Sequence, residues 1–159
     1  MPLRGLGNVK KGMDKTVDRA NENLRAKYFK TLKNVILQTP ADTGRARNGW
    51  ILTVGAPSSG VTRAPNENGA ASLASLAKMP AKVLGTEIYL TNSTPYIQTL
   101  EYGRYPSPVQ KGSWISDGAG GGHYEILSEG GWSKQLLQTI GPVGMARHNL
   151  QKLEKELKR

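Results

Sequence analysis

One helical face constrains the first quarter of the chain. Between Met13 and Gln38, the residues Val17, Ala20, Leu24, Tyr28, Leu32 and Val35 recur at steps of three and four. That spacing lines one side of an α-helix. Lys15, Arg19, Glu22, Lys30 and Lys33 fall on the other side, and Lys10 and Lys11 precede the run. Gly12 or Asp14 marks the expected start. Pro40 closes the helix, because proline has no amide to donate and disfavours helix in the residue before it. A helix of about 25 residues is longer than a globular domain usually needs. Part of it is therefore expected to pack on something outside its own domain.

The remaining elements are shorter. "TPADTGRARNGW", Thr39 to Trp50, holds a turn at Asp42, Thr43 and Gly44: the Asp and Thr side chains can bond nearby amides, and glycine tolerates positive φ. Trp50, Leu52 and Val54 then alternate with Ile51 and Thr53, as in a strand. A second strand is expected over Val83–Asn92, pairing antiparallel with the first. Next, Asn92, Ser93 or Thr94 caps a two-turn helix with Pro95 at its first position. Tyr96, Ile97, Leu100 and Glu101 follow within that helix, and Gly103 is its expected left-handed terminator. At the end of the chain Met145, Leu150, Leu153 and Leu157 mark a last helical face, with Glu154 and Lys158 as a supporting pair.

Two stretches interrupt this pattern. Residues 56–82 are rich in Ser, Ala, Gly, Asn and Pro, and read as an exposed arm or long loop in which "AASLASLAKM" could form a short helix. Residues 104–131 read as a loop-rich insert, with Trp114–Ile115 and Tyr124–Leu127 as a marginal hairpin. The fold class expected is α+β: a long N-terminal helix, a small antiparallel sheet with a long arm, a short central helix and a C-terminal helix. At 159 residues the chain suits one domain over 1–159.

The composition narrows the chemistry. The absence of cysteine excludes disulfides, thiolate metal sites and cysteine nucleophiles. "MPLRGLGNVKKG" has charge with no apolar run behind it, and no stretch reaches the roughly 20 apolar residues of a membrane span. A cytoplasmic site of synthesis and no membrane partner are expected. The net charge is +10, of which residues 1–38 contribute +6, residues 142–159 contribute +3 and the middle +1. The basic groups thus sit on the two terminal helices. They suit either simple solvation or attraction to a polyanion or an acidic partner.

Catalytic patterns are not found. His123 and His148 have no second ligand at metal spacing, and Ser58, Ser59 and Ser113 lack a strand–turn–helix nucleophile elbow. Glu101 and Glu125 could be drawn as a hydrolase carboxylate pair, but Glu101 reads better as a cap or as a partner of Arg45, Arg47 or Arg104. "DGAGGG" has neither the Lys-Ser/Thr ending nor the following helix of a phosphate loop. The aromatic residues suit core and interface anchors better than base-stacking platforms. No enzyme activity, cofactor or metal is expected.

Four pieces in this order carry a resemblance: the basic amphipathic helix, "TPADTGRARNGW", "YLTNSTPYIQTLEYG", and "GGWSKQLLQTIGPVGMAR" before the last helix. Together they resemble the neck and tail-completion (tail-component) proteins of long-tailed bacteriophages. The likeness lands on Thr39, Pro40, Asp42, Thr43, Gly44, Arg45 and Trp50, then on Asn92, Pro95, Tyr96, Leu100, Glu101, Tyr102 and Gly103. Its third block lands on Trp132, Ser133, Lys134, Gln135, Pro142, Gly144 and Met145, although "LLQTIGPVGM" is longer than the family pattern. The resemblance implies a virion protein at the head–tail junction, assembled in the host cytoplasm as a homo-oligomeric ring, six copies by analogy. Its implied partners are head-closure or connector proteins on one side and tail terminator or tail tube proteins on the other. The basic residues Lys10, Lys11, Lys15, Arg19, Lys30 and Lys33 would face a partner or, without sequence readout, the genome in the channel. Alternatives are the tail terminator ring itself, a stand-alone basic nucleic-acid-binding domain, and a small hydrolase.

Overall fold

The structure is a computed structural model that describes residues 6–41, 43–60, 63–102, 111–116, 122–128 and 144–158, with backbone only for Leu6 and for 111–116 and 122–128. The order of elements is α1 (Leu6–Gln38), α2 (Arg45–Asn48), β1 (Trp50–Val54), α3 (Ala70–Ser75), a 3₁₀ turn (Leu76–Lys78), β2 (Ile88–Asn92), α4 (Ile97–Tyr102), β3 (Lys111–Ser116), β4 (Gly122–Ser128) and α5 (Met145–Leu157). The fold is mixed helix and sheet, as the sequence pattern indicates.

The helix α1 has 33 residues, about 50 Å at 1.5 Å per residue. It starts about two turns before the Gly12–Asp14 start read from the sequence. Gly7 and Gly12 do not stop it, because an interior glycine costs only about 1 kcal/mol against alanine. At its other end the Thr39 amide donates to Val35 O at 3.1 Å, and Pro40 then ends the hydrogen-bond ladder.

Its C-terminal half builds the core. Val35 and Ile36 pack with Trp50, Leu52, Leu76, Met79, Val83, Leu100 and Met145, while Leu24, Tyr28 and Leu32 flank the cluster. Fully burying each large aliphatic side chain contributes about 1.5–3 kcal/mol. β1 and β2 pair antiparallel, Trp50 with Asn92 through Val54 with Ile88. This register places Leu52 opposite Leu90 on the core face. α5 runs antiparallel to α1: Asn149 Nδ2 donates to Gln38 Oε1 at 2.6 Å, and the Lys27 ammonium donates to Glu156 O at 3.0 Å.

The 56–82 stretch differs from the exposed arm expected. Residues 56–60 and 63–68 are mostly exposed, but Ser72, Ser75, Leu76 and Met79 are buried. Small side chains let α3 approach β1 closely; Ser75 is hydrogen-bonded there, whereas the buried Ser72 Oγ has no partner among the described residues. Ser75 Oγ donates to Ser72 O and accepts from the Leu52 amide at 3.2 Å. The outer edge of β1 is thus covered by a helix in place of another strand, which hides an otherwise open row of backbone groups. β3 and β4 form a separate antiparallel pair with a register shift between Lys111 and Gly112.

The inward face of α5 also differs from the one read in the sequence. Met145, Asn149 and Leu153 are buried, whereas Leu150 and Leu157 are exposed. Asn149 can be buried because its amide also donates to Met145 O at 2.8 Å.

Candidate functional site

The residues after α1 form a polar hub. Trp50 Nε1 donates to Thr39 Oγ1 at 2.7 Å, and that hydroxyl donates to Val35 O at 2.7 Å. The indole is thereby tied to the end of α1. Arg47 donates to Thr39 O and Glu67 O. Burial lowers the pKa of its guanidinium from the ordinary value, against the opposing pull of Glu67. Asn48 donates to Ala64 O and accepts from the Ala71 amide. Asn92 Nδ2 donates to Ala46 O, and its Oδ1 accepts from the Thr94 amide, forming the turn that leads into α4. Side chains of one short motif thus tie together the segments near residues 39, 48 and 66, and the side chain of Asn92 ties in the fourth.

Gly44 is required twice over. Its φ is 76°, in the left-handed region, and a Cβ there would overlap the Asn66–Glu67 backbone. This is the positive φ expected of the turn. Thr43 is exposed, and Asp42 lies outside the described residues.

A second node lies where α4 meets the start of α5. Both carboxylate oxygens of Glu101 accept amides of α5, from Ala146 and Arg147, each at 2.9 Å. The first turn of a helix has amides with no partner inside it, and its positive dipole end favours an anion there. Arg147 returns to α4: its guanidinium donates to Glu101 O, pairs with the carboxylate at 3.3 Å and lies 4.5 Å from the Tyr102 ring centroid. A Cβ on Gly144 would overlap Glu101, so only glycine allows this approach. Glu101 therefore caps α5, and its basic partner is Arg147. Arg45 is exposed, Arg47 bonds the hub, and Arg104 lies outside the described residues. The "LEY" and "GMAR" segments thus meet, with Leu100 and Met145 buried beside them. Pro95 is exposed, Tyr96 half-buried against the core, and Gly103 outside the described residues. Arg147 was missed from sequence because its partner is 46 positions away.

The six basic candidates all lie on α1. Lys10, Lys11, Lys15, Arg19, Lys30 and Lys33 are exposed. Lys11, Lys15 and Arg19 repeat every four residues and share a side. Val9, Met13 and Val17 repeat in the same way about 160° around the helix, and are 60%, 64% and 49% exposed. Every residue from Gly7 to Arg19 is exposed, and Asn21 is the first buried one. Asn21 marks where the domain begins to cover the helix: its Oδ1 accepts the Val83 and Leu84 amides at 2.9 and 3.0 Å.

An open groove of about 320 Å³ lies between α1, α5 and the start of β2, lined by Tyr28, Leu32, Ile88, Leu150 and Leu153 among others. Its walls are mainly apolar. Among the described residues no three His, Asp or Glu side chains gather as a metal site. His148 is half-buried. None of the described helices is long and apolar enough to cross a membrane.

No protein-family model matches this sequence, and neither a curated protein nor a solved structure matches it.

Proposed function

We propose that this chain is a structural virion protein, one subunit of a homo-oligomeric ring at the head–tail junction of a long-tailed bacteriophage. In this role it joins connector or head-closure proteins to the tail and surrounds the passage of the DNA. It is made and assembled in the host cytoplasm and transforms no substrate. The observation that carries the reading is the two-sided projection of α1. One side offers an apolar stripe to a protein neighbour, and the other presents Lys11, Lys15 and Arg19. A subunit whose longest helix leaves its own core is suited to being completed by neighbours. A positive collar suits a DNA channel, because phosphate contact positions without reading sequence. The motif residues Gly44, Trp50, Leu100 and Glu101 act in this reading as scaffold, fixing the two corners from which α1 and α5 depart.

The test is assembly of phage particles without this chain. Heads and tails should accumulate separately and packaged DNA should leak. Normal yields of joined, filled particles would end the proposal. The same exposed lysines favour one rival, a stand-alone nucleic-acid-binding domain. That rival requires the isolated chain to bind duplex DNA with a steep loss on adding salt.

A further inference from the structure

We infer that the free subunit pairs with a second copy of itself through α1, as a two-fold antiparallel helix pair that covers the projecting stripe and closes the apolar groove in one contact. The stripe cannot be covered by its own domain. α1 is one continuous helix, so Met13 stays about 22 Å along the axis from Tyr28, where the groove begins. Both apolar surfaces therefore await a partner from outside the chain.

The sequence of the stripe points to this particular chain as the occupant. Val9, Met13, Val17, Ala20, Leu24 and Tyr28 are separated by 4, 4, 3, 4 and 4 positions, a spacing that reads the same in both directions. Turning one helix about the midpoint between Asp18 and Arg19 sets Val9 against the partner's Tyr28. The same turn sets Met13 against the partner's Leu24, and Val17 against the partner's Ala20. Every stripe residue then meets another stripe residue.

The domain leaves room for that neighbour. Around residues 21–27, one side of α1 is taken by Val83 and Leu84 at Asn21, and another by Glu156 at Lys27. Between them Leu24 and Tyr28 are only half-buried, and the slot runs on into the groove edged by the exposed Leu150. The leading turn of the partner's α1 would enter there.

The placing of the domains favours the antiparallel arrangement over the parallel one. In the antiparallel register the partner's Arg25 lies about 3 Å along the axis from both Lys10 and Asp14 on one flank, so attraction to one is offset by repulsion from the other, while the two domains hang at opposite ends of the pair. A parallel pair would set Lys10 beside the partner's Lys10. It would also crowd the two domains together, since both hang from the same side of α1. Contact over about 30 Å of helix falls below the roughly 800 Å² per partner of a standard stable interface. The pair is accordingly weak, with a dissociation constant in roughly the micromolar to millimolar range. An interface of this two-fold kind closes at two copies and builds no ring. It describes the unassembled subunit, and the junction reading stands or falls without it.

Sedimentation equilibrium of the full chain from about 1 µM to about 1 mM decides the matter. A reversible monomer–dimer equilibrium is expected. Met13→Glu and Leu150→Glu, both exposed positions, should each weaken it by at least about tenfold while the circular dichroism melting curve stays unchanged. The natural absence of cysteine allows a test of direction. A mixture of Met13→Cys and Leu24→Cys chains should form the mixed disulfide, and Met13→Cys alone should not cross-link. A monomer throughout the range, a dimer indifferent to Met13→Glu, a larger closed oligomer of the free chain, or ready self-cross-linking of Met13→Cys would each overturn the inference.

Discussion

The two halves of α1 share one apolar rhythm and have opposite surroundings. From Asn21 to Gln38 the domain closes progressively over the stripe, Leu24 and Tyr28 being half-buried and Val35 and Ile36 2% and 0% exposed. From Gly7 to Arg19 the same side of the same helix faces solvent. Periodicity therefore reports that a helix has a face to cover. What covers it is decided by the rest of the chain, and here the rest of the chain reaches only as far as Asn21. The covered half is held by tertiary packing. The projecting half is held by its own backbone ladder and by local bonds such as Thr16 Oγ1 to Gly12 O, the regime in which short helices in water are marginal.

The most damaging way to break the comparison is inside the covered half. Ile36→Ala removes a side chain that is fully buried beside Trp50 and Leu52, and should cost about 2–5 kcal/mol in urea unfolding. A cost below about 1 kcal/mol would mean that α1 is not what organises the core. The boundary itself comes next. Asn21→Ala leaves the buried Val83 amide and the partly buried Leu84 amide without their acceptor. At about 1–3 kcal/mol for an unsatisfied buried group, a loss near 2 kcal/mol is expected. Hydrogen exchange should quicken at residues 83 and 84 first. If exchange there were unchanged, Asn21 would not be the fastening it resembles.

The contrast also explains which parts of the structure could be read in the sequence. The core face of α1, the antiparallel pairing of β1 with β2, the β3–β4 hairpin and the existence of α5 follow from local spacing. The packing of α3 does not, because Ser72 and Ser75 look polar until the fold shows Ser75 Oγ bonded to backbone on both sides and the small Ser72 side chain buried beneath β1. The same blindness put Leu150 in the core in place of Asn149, whose burial depends on Gln38 in another helix. Gly44 was legible as a turn residue from its neighbours. Its second reason, the approach of the Asn66–Glu67 backbone, was hidden in the fold. The partner of Glu101 could not be chosen among arginines from spacing alone, since the pair closes between segments that only the fold brings together.

That pair offers a milder test. Glu101→Ala removes the cap of α5 and the acceptor for the Arg147 side chain. Loss of a helix cap costs roughly 1 kcal/mol, and Arg147, about half exposed, adds little beyond it. A decrease of about 1–2 kcal/mol is expected in thermal or urea unfolding, with α5 amides losing protection before those of α1. Equal loss in both helices would argue that Glu101 supports the whole core and not the start of α5.

The smallest expected effect bears most directly on the projecting half. Gly12 lies in the exposed turns, and a Cβ built on it meets nothing within 4 Å. Gly12→Ala should therefore act only through helix propensity, worth about 1 kcal/mol. If residues 7–19 open and close independently of the domain, that energy goes into local opening alone. In dilute protein the amides around residues 9–16 should exchange about fivefold more slowly, while the global unfolding midpoint stays where it was. A midpoint that rises with the substitution would instead join the projection to the cooperative core. The two halves of α1 would then be one unit in energy despite their different surroundings.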